Sequence, residues 1–421
     1  MNDLTRIAGY PTAEDPLANP LDALLADIAI SVQLPPGLHA KACSRKDSVQ
    51  AFLQREGSPL RGLVARFYPQ GSMAIDATIS TRGTDDEYDL DLVAELLVPP
   101  GTPPAVVMEL LWLALKDYPV EGGVTRQTRC VTIHYADGMH LDVTPSRRLP
   151  FTDDFASVIF HAKPDEPPAR HAEVPMNAFG FAEWFKQRTP VEDRFSASYN
   201  TRLLAFDTAM KAEAEVHEVP EQVPLPRKSV TTVGLQLVKR FRNIWSSTRE
   251  GRYPPSVMLS CHAGYAAQPG MRLSDMVVRQ ARWTAKAIDE AEARGKLVDV
   301  RNPKMTEDRF TDRWPENHGQ QGDFAAALHG LADVLEHVSR TGAQLEDLQE
   351  WLRGCFGPLV VSRSVKALND RNGRALRSGT HGYTRSGGLL VPAAPALVGA
   401  ASPAAAFVAP RRHTNMGERR P

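Results

Sequence analysis

Leu90 stands between Asp89 and Asp91, and Leu92-Val93 follow. In a strand, residues two apart point to the same face, so the two carboxylates project side by side from one strand. Carboxylates held that close repel unless a cation lies between them. Hard oxygen ligands on a rigid strand suit Mg²⁺, which takes one or two carboxylates together with substrate phosphates. Ahead of the pair comes Gln70-Gly71-Ser72. Glycine lets the backbone approach phosphate oxygens closely, and the amides and the serine hydroxyl can donate to them. Between these two features, Asp85-Asp86-Glu87 reads as a solvated turn that delivers Asp89 and Asp91 to a cleft.

A third carboxylate, Asp142, sits in Met139-His140-Leu141-Asp142-Val143. A charge with apolar neighbours on a sheet strand is costly unless it is paired or meets a cation. If this strand lies beside the first, three carboxylates converge and would hold one or two divalent ions. Two such ions clamp the attacking and leaving oxygens of a phosphoryl displacement, and one carboxylate can take the proton of an attacking hydroxyl. Lys239 and Arg242, with Arg240 between them, fall on the polar part of a predicted helix and could hold the same triphosphate. A lone D-x-D or Gly-Ser pair is a weak signal. Lys239-Arg240-Phe241-Arg242 alone would be a solvated helix face, Ser256 alone a helix N-cap or turn residue, and the six tryptophans core. The apolar framing of three Asp residues is the unusual part, because an ionised Asp is almost never buried without a partner.

The 421 residues are long enough for two or three domains. Lys+Arg is 49 against 50 for Asp+Glu, which argues against binding nucleic acid by bulk charge, although totals do not show distribution. Cys43, Cys130, Cys261 and Cys355 are far apart and lack C-x-x-C spacing, so neither a zinc site nor a disulfide framework is expected. No signal peptide and no apolar run of the ~18 residues that a spanning helix needs is read, so a cytoplasmic protein without membrane partners is expected.

Periodicity predicts helices at Leu21–Val32, Leu38–Arg55 and Pro103–Lys116, and strands at Leu63–Phe67 and Asp89–Leu97. Arg129–Tyr135 and Met139–Thr144 read as a hairpin joined by Ala136-Asp137-Gly138. Pro164–Pro175 and Glu215–Pro226 read as a linker and a connector. Further helices are expected at Asn177–Gln187, Ser229–Trp245, Leu273–Ala293, Phe324–Arg340 and Leu345–Leu352. The first twenty residues and everything after about Gly379 are expected to be loose. The expected organisation is a mixed α/β lobe with N-terminal helices over residues 1–170, a helical lobe over 171–375 and a flexible tail over 376–421.

Taken together, Gln70-Gly71-Ser72, Asp89-Leu90-Asp91 and Leu141-Asp142-Val143 resemble the polymerase-β-like nucleotidyltransferase superfamily. Within it the chain most resembles the bacterial CD-NTases. Asn177–Phe185 resembles the segment entering their helical lobe, and Leu235–Arg242 their Lys/Arg-bearing helix. Pro254–Leu259 resembles the turn that follows, and Asn302-Pro303 with Phe310–Trp314 their late Asn-Pro…Trp element. The resemblance covers roughly residues 20–370. It implies an α+β, two-lobed fold whose cleft joins nucleoside triphosphates, ATP foremost, into cyclic di- or trinucleotides with release of pyrophosphate. The product would signal to a partner effector in anti-phage defence. By position, Asp89, Asp91 and Asp142 would bind Mg²⁺, with Mn²⁺ as an alternative, and Asp142 would help to deprotonate the attacking ribose hydroxyl. Gln70, Gly71 and Ser72 would hold the donor triphosphate, Lys239 would contact phosphates and Ser256 would assist. The absence of a Cys/His cluster argues against activation by DNA. His413–Gly417 looks like a tail whose glycine is attached to target molecules by a conjugating protein, yet Glu418–Pro421 follows it. Addition of nucleotides to RNA, or a non-catalytic nucleotide-binding scaffold, are the alternatives.

Overall fold

The protein is described here from a computed structural model over residues 15–80, 88–150, 152, 155–213, 227–341, 345–378, 382–383 and 389–390. The acidic turn at 85–87, the connector at 215–226, residues 1–14 and the C-terminal Gly417 region lie outside the described residues.

The chain begins with α1 (Pro20–Val32), which Asn19 caps by accepting from the Leu21 and Asp22 amides, and α2 (Pro36–Leu53). The first lobe then runs β1 (Val64–Pro69), a single turn α3 (Gly71–Ala74), β2 (Tyr88–Leu96), α4 (Pro104–Leu115), β3 (Val124–Arg126), β4 (Val131–His134), β5 (Met139–Arg148), β6 (Ser157–His161) and β7 (Ala172–Met176). These strands form a seven-stranded sheet in the order β1-β2-β5-β4-β3, with β6 on β5 and β7 on β6. Only β2 and β5 run parallel. The expected hairpin is present: β4 and β5 pair antiparallel, and Gly138 takes a left-handed φ of 78° at the turn. Leu90, Leu92, Leu141 and Val143 are buried with Val107, Met108 and Leu111 of α4. The apolar residues framing the acids are therefore the sheet's own core. Residues 164–175 are not a free linker, because most of β7 lies within them and pairs with β6.

The second part contains α5 (Ala178–Arg188), α6 (Asp193–Glu213), α7 (Val230–Ser246), α8 (Ser256–Ala266), α9 (Leu273–Glu292), the short ribbon β8 (Arg301–Asn302) and β9 (Met305–Arg309), α10 (His318–Thr341), α11 (Leu345–Phe356) and α12 (Pro358–Ser378). Two residue pairs, β10 (Gly382–Tyr383) and β11 (Leu389–Leu390), close the described chain. No helix among the described residues is long and apolar enough to cross a membrane. Although α1 comes first in the chain, it packs in this second core with α6, α7, α9 and α12. It is buried on every side, and its acids are matched: Asp27 accepts from both terminal guanidinium nitrogens of Arg371 at 3.1 Å, and Asp22 accepts from the Ser274 amide at 2.8 Å and from Arg272 at 3.0 Å. Buried charges are tolerated when satisfied in this way.

One buried group gives this lobe a pH dependence. His262 on α8 meets the Thr284 hydroxyl of α9 at 3.2 Å, and burial pushes its pKa down to about 4. The unfolded chain takes up this proton near pH 6.5, so the contribution is present above that value and is lost as pH falls from about 6.5 to about 4. Thermal denaturation should show the melting temperature of His262→Gln falling less than that of the wild type over this window.

Candidate active site

The site is built where α3 turns back on β2. Gly71 has φ 59°, in the left-handed region that glycine enters without strain, and a Cβ there would stand 2.5 Å from Asp91 Oδ2. The Gln70 amide donates to the Asp91 carbonyl at 2.8 Å, tying the turn to the strand. The Ser72 carbonyl accepts from the Ala77 amide at 2.9 Å, and its hydroxyl lies 3.2 Å from that of Thr78. The parallel β2–β5 register sets Asp91 directly against Asp142, and Asp89 against His140.

Asp142 Oδ1 accepts from the Thr132 hydroxyl of β4 at 2.5 Å. Asp89 is 68% exposed, with Oδ1 at 3.9 Å from His140 Nδ1. No three acidic, His or Cys side chains among the described residues already stand as a closed ligand group. The electrostatics nevertheless suit a divalent cation. Burial first, then repulsion from Asp142 and Asp89, pushes Asp91 up to about 7, with Lys239 opposing. A cation beside the acids would relieve that repulsion. Cys130 is pushed up to about 12, by burial and then by Asp142, which keeps it a thiol.

The helical lobe supplies the opposite wall. On α7, Lys239 is 3% exposed and its Nζ donates to the Ala77 carbonyl at 2.8 Å; Gln236 donates to the Thr78 carbonyl at 2.8 Å. Burial, then Arg242, pulls Lys239 down to about 7, with Asp91 opposing. Arg242 donates to the Pro254 carbonyl at 2.9 Å and to Ser256 Oγ at 2.6 Å. The stretch Pro254–Leu259 is thus not only a turn, since α8 begins at Ser256. Arg240 points elsewhere, to the Phe356 carbonyl at 2.9 Å.

A cavity of about 370 Å³ opens between these walls and brings Gly71, Ser72, Asp89, Asp91, Lys239 and Ser256 together with Arg242. Gln70 and Asp142 are not among its lining residues; the Gln70 amide group turns to the Thr144 hydroxyl at 3.5 Å. Phe181, Asn243 and Thr78 also line it. These three and Thr132 escaped the sequence reading. The one available signal for Thr132 was its place on the partner strand of the Asp-Gly hairpin.

Residues 65–145 match the family model described as "Cyclic GMP-AMP synthase DncV-like, nucleotidyltransferase domain". Over 410 residues, 97% of each chain, the sequence is 59% identical to the cyclic dinucleotide synthase CdnG of Bradyrhizobium diazoefficiens. It is 20% identical over 371 residues, 85% of this chain and 90% of the other, to a c-di-GMP synthase of Roseivirga ehrenbergii. Among solved structures, the B. diazoefficiens CD-NTase CdnG in complex with GTP superposes with a TM-score of 0.74 at 55% identity, covering 84% of this chain and all of that one. An Escherichia coli CdnC:HORMA-deltaN complex superposes at 0.52 with 14% identity, over 79% of this chain and 96% of that one, a likeness of fold alone.

Proposed function

The chain belongs to the CD-NTase family, and from that premise we propose that it is a metal-dependent nucleotidyltransferase joining two nucleoside triphosphates into a cyclic dinucleotide. The observation that carries this reading is the direct pairing of Asp91 with Asp142, beneath a glycine turn and across from a buried lysine. Asp89, Asp91 and Asp142 would hold Mg²⁺, or Mn²⁺ in its place. When bound, the cation supplies positive charge against the phosphate oxygens. Gly71 and Ser72 receive the donor triphosphate on the amides of α3, and Gln70 supports them through its backbone bond to Asp91. Lys239 and the Arg242–Ser256 pair face the same phosphates. Asp142, held by Thr132, takes the proton as a ribose hydroxyl oxygen bonds to the α-phosphorus and the bond to pyrophosphate breaks.

The relative solved in complex with GTP supports testing GTP beside the ATP expected from the sequence. The purified protein should convert GTP, ATP or the pair, with Mg²⁺ or Mn²⁺, into a phosphatase-resistant product whose mass identifies a cyclic dinucleotide. Absence of such a product under every pairing would sink the reading. The product would act as a second messenger to an effector in anti-phage defence, and loss of phage resistance in cells carrying the inactivated gene tests that step.

Gly71→Ala tests the turn. A methyl group at φ 59° and 2.5 Å from Asp91 Oδ2 must move the carboxylate or the turn. A displacement near 1 Å can cost about 10²-fold in rate, so kcat/KM should fall roughly a hundredfold with little change in far-ultraviolet circular dichroism. Unchanged kinetics would show that the close approach of turn and carboxylate is immaterial.

A further inference from the structure

A second cavity, of about 510 Å³, lies between α8, α9 and the segment leading into β8. It shares no lining residue with the cleft. Tyr265 and Trp283 line it, each 40% exposed, with ring planes 8° apart and centroids separated by 6.3 Å. Tyr265 is held from behind by Trp184, edge to face at 5.0 Å, and Trp184 packs on Gly264, where a Cβ would come 2.5 Å from its ring. Large aromatic faces left open to solvent yet fixed from behind form a platform for a planar ring.

The charges around this platform do not cancel. Of the lining acids, Glu290 is taken by Lys286 at 3.2 Å, and Asp299 by Arg301 and Arg309 at 3.0 and 3.1 Å. Arg294 and Lys296, both exposed on the rim, have no ion-pair partner among the described residues. His262 lines the cavity with Nδ1 committed to Thr284, which leaves Nε2 to meet a hydrogen-bonding edge. The volume falls in the range of small-ligand pockets. A flat ring for Tyr265 and Trp283, a polar edge for His262 and a phosphate for Arg294 and Lys296 together describe one ligand class.

We propose that this cavity binds a purine nucleotide, separate from those that react in the cleft, and that its occupancy alters the rate of synthesis. The second half rests on the cleft being a synthase; the first does not. The two cavities share α8: Ser256, Val257 and Ser260 line the cleft, whereas Cys261, His262 and Tyr265 line the second site. A row of rings also joins them, since Phe181 of the cleft stacks on Trp184 at 5.7 Å, and Trp184 meets Tyr265. A ligand that shifts α8 therefore reaches Ser256 and its Arg242 partner without a separate relay.

The test is calorimetry on the full chain with the cleft saturated by a non-hydrolysable GTP analogue and Mg²⁺, titrated with GMP and, in a separate arm, with c-di-GMP. One further site per chain is expected, and the arm that binds more tightly tells a mononucleotide from a cyclic dinucleotide as the source. Trp283→Ala and the double variant Arg294→Glu/Lys296→Glu, all at exposed positions, should each weaken that site about tenfold or more while leaving analogue binding unchanged. The bound ligand should change the initial rate of synthesis in the wild type and not in Trp283→Ala. No heat beyond the analogue's own, or a second site untouched by both variants, overturns the site. Binding without any change of rate overturns the coupling. If the analogue fails to bind but GMP shows Trp283-dependent binding, the reading of the cleft fails and this site stands.

Discussion

Asp91→Asn is expected to abolish synthesis and to raise the melting temperature of the metal-free protein. The loss follows from removing a donor beside the phosphates. Cation stabilisation of a phosphoryl displacement contributes several kcal/mol, so turnover should fall about 10³-fold or more. The gain follows from the metal-free electrostatics. Burial, Asp142 and Asp89 push Asp91 up to about 7, well above the value near 3.9 in an unfolded chain. A carboxyl raised in the folded state is unstrained below the unfolded pKa and costs stability as pH rises towards the folded one. The cost is therefore absent near pH 4 and complete above about pH 7. Asn removes it and leaves the strand register unchanged. At pH 8 Lys239, itself pulled down to about 7, is mostly neutral, so little attraction is forfeited. Melting curves without metal at pH 8 should place the variant above the wild type, with the gap closing towards pH 4. Adding Mg²⁺ should raise the wild type only. Retained synthesis, or a lower metal-free melting temperature at pH 8, would remove Asp91 from the metal site.

Much of this site was legible because its signals are local. A two-residue period across Asp89-Leu90-Asp91 sets which residues share a face, and an Asp-Gly turn before Met139 makes β4 and β5 neighbours; the parallel pairing of β2 with β5 was only a condition in the sequence, and the register meets it. Burial then explains itself, since Leu90, Leu141 and Val143 can only sit in the core if the acids emerge on the other side. What stayed hidden depends on distant pairing. Nothing in Pro164–Pro175 announces a strand until β6 lies beside it and takes up its backbone groups. The stripe Leu21, Leu24, Leu25, Ile28 and Val32 predicted a helix, but not that Asp22 and Asp27 find arginines some 250 and 344 residues away and let α1 sit in the centre of the helical core. Thr132 carries no motif at all, and its bond to Asp142 exists only through the β4–β5 register. Gln70 shows the converse. The motif suggested a triphosphate contact, whereas in the structure its backbone amide bonds to the Asp91 carbonyl and its side chain turns to Thr144.

Lys239→Met should be the most damaging change on the helical side of the cleft. Lys239 of α7 lines the cleft together with Asp91 and Gly71, and its Nζ donates to the Ala77 carbonyl. Its depressed pKa, lowered by burial and by Arg242, means that the free protein holds this proton weakly near pH 7. A bound triphosphate favours the charged form, so nucleotide binding takes up a proton. Without metal, the affinity for GTP should fall as pH rises above about 7 in the wild type and stay flat over the same range in Lys239→Met. Removing one preorganised donor from such a site costs about 10²–10³-fold in rate, and kcat/KM is expected to fall by that much. Asp91 and Lys239 each stabilise the charge of the other across the cleft. Near pH 7, where both groups are partly charged, the metal-free melting temperature of the double variant Asp91→Asn/Lys239→Met should therefore lie above the value expected from adding the separate effects of Asp91→Asn and Lys239→Met. Additive effects, together with an unaltered pH profile for GTP binding, would show that Lys239 serves only to hold the Ala77 carbonyl.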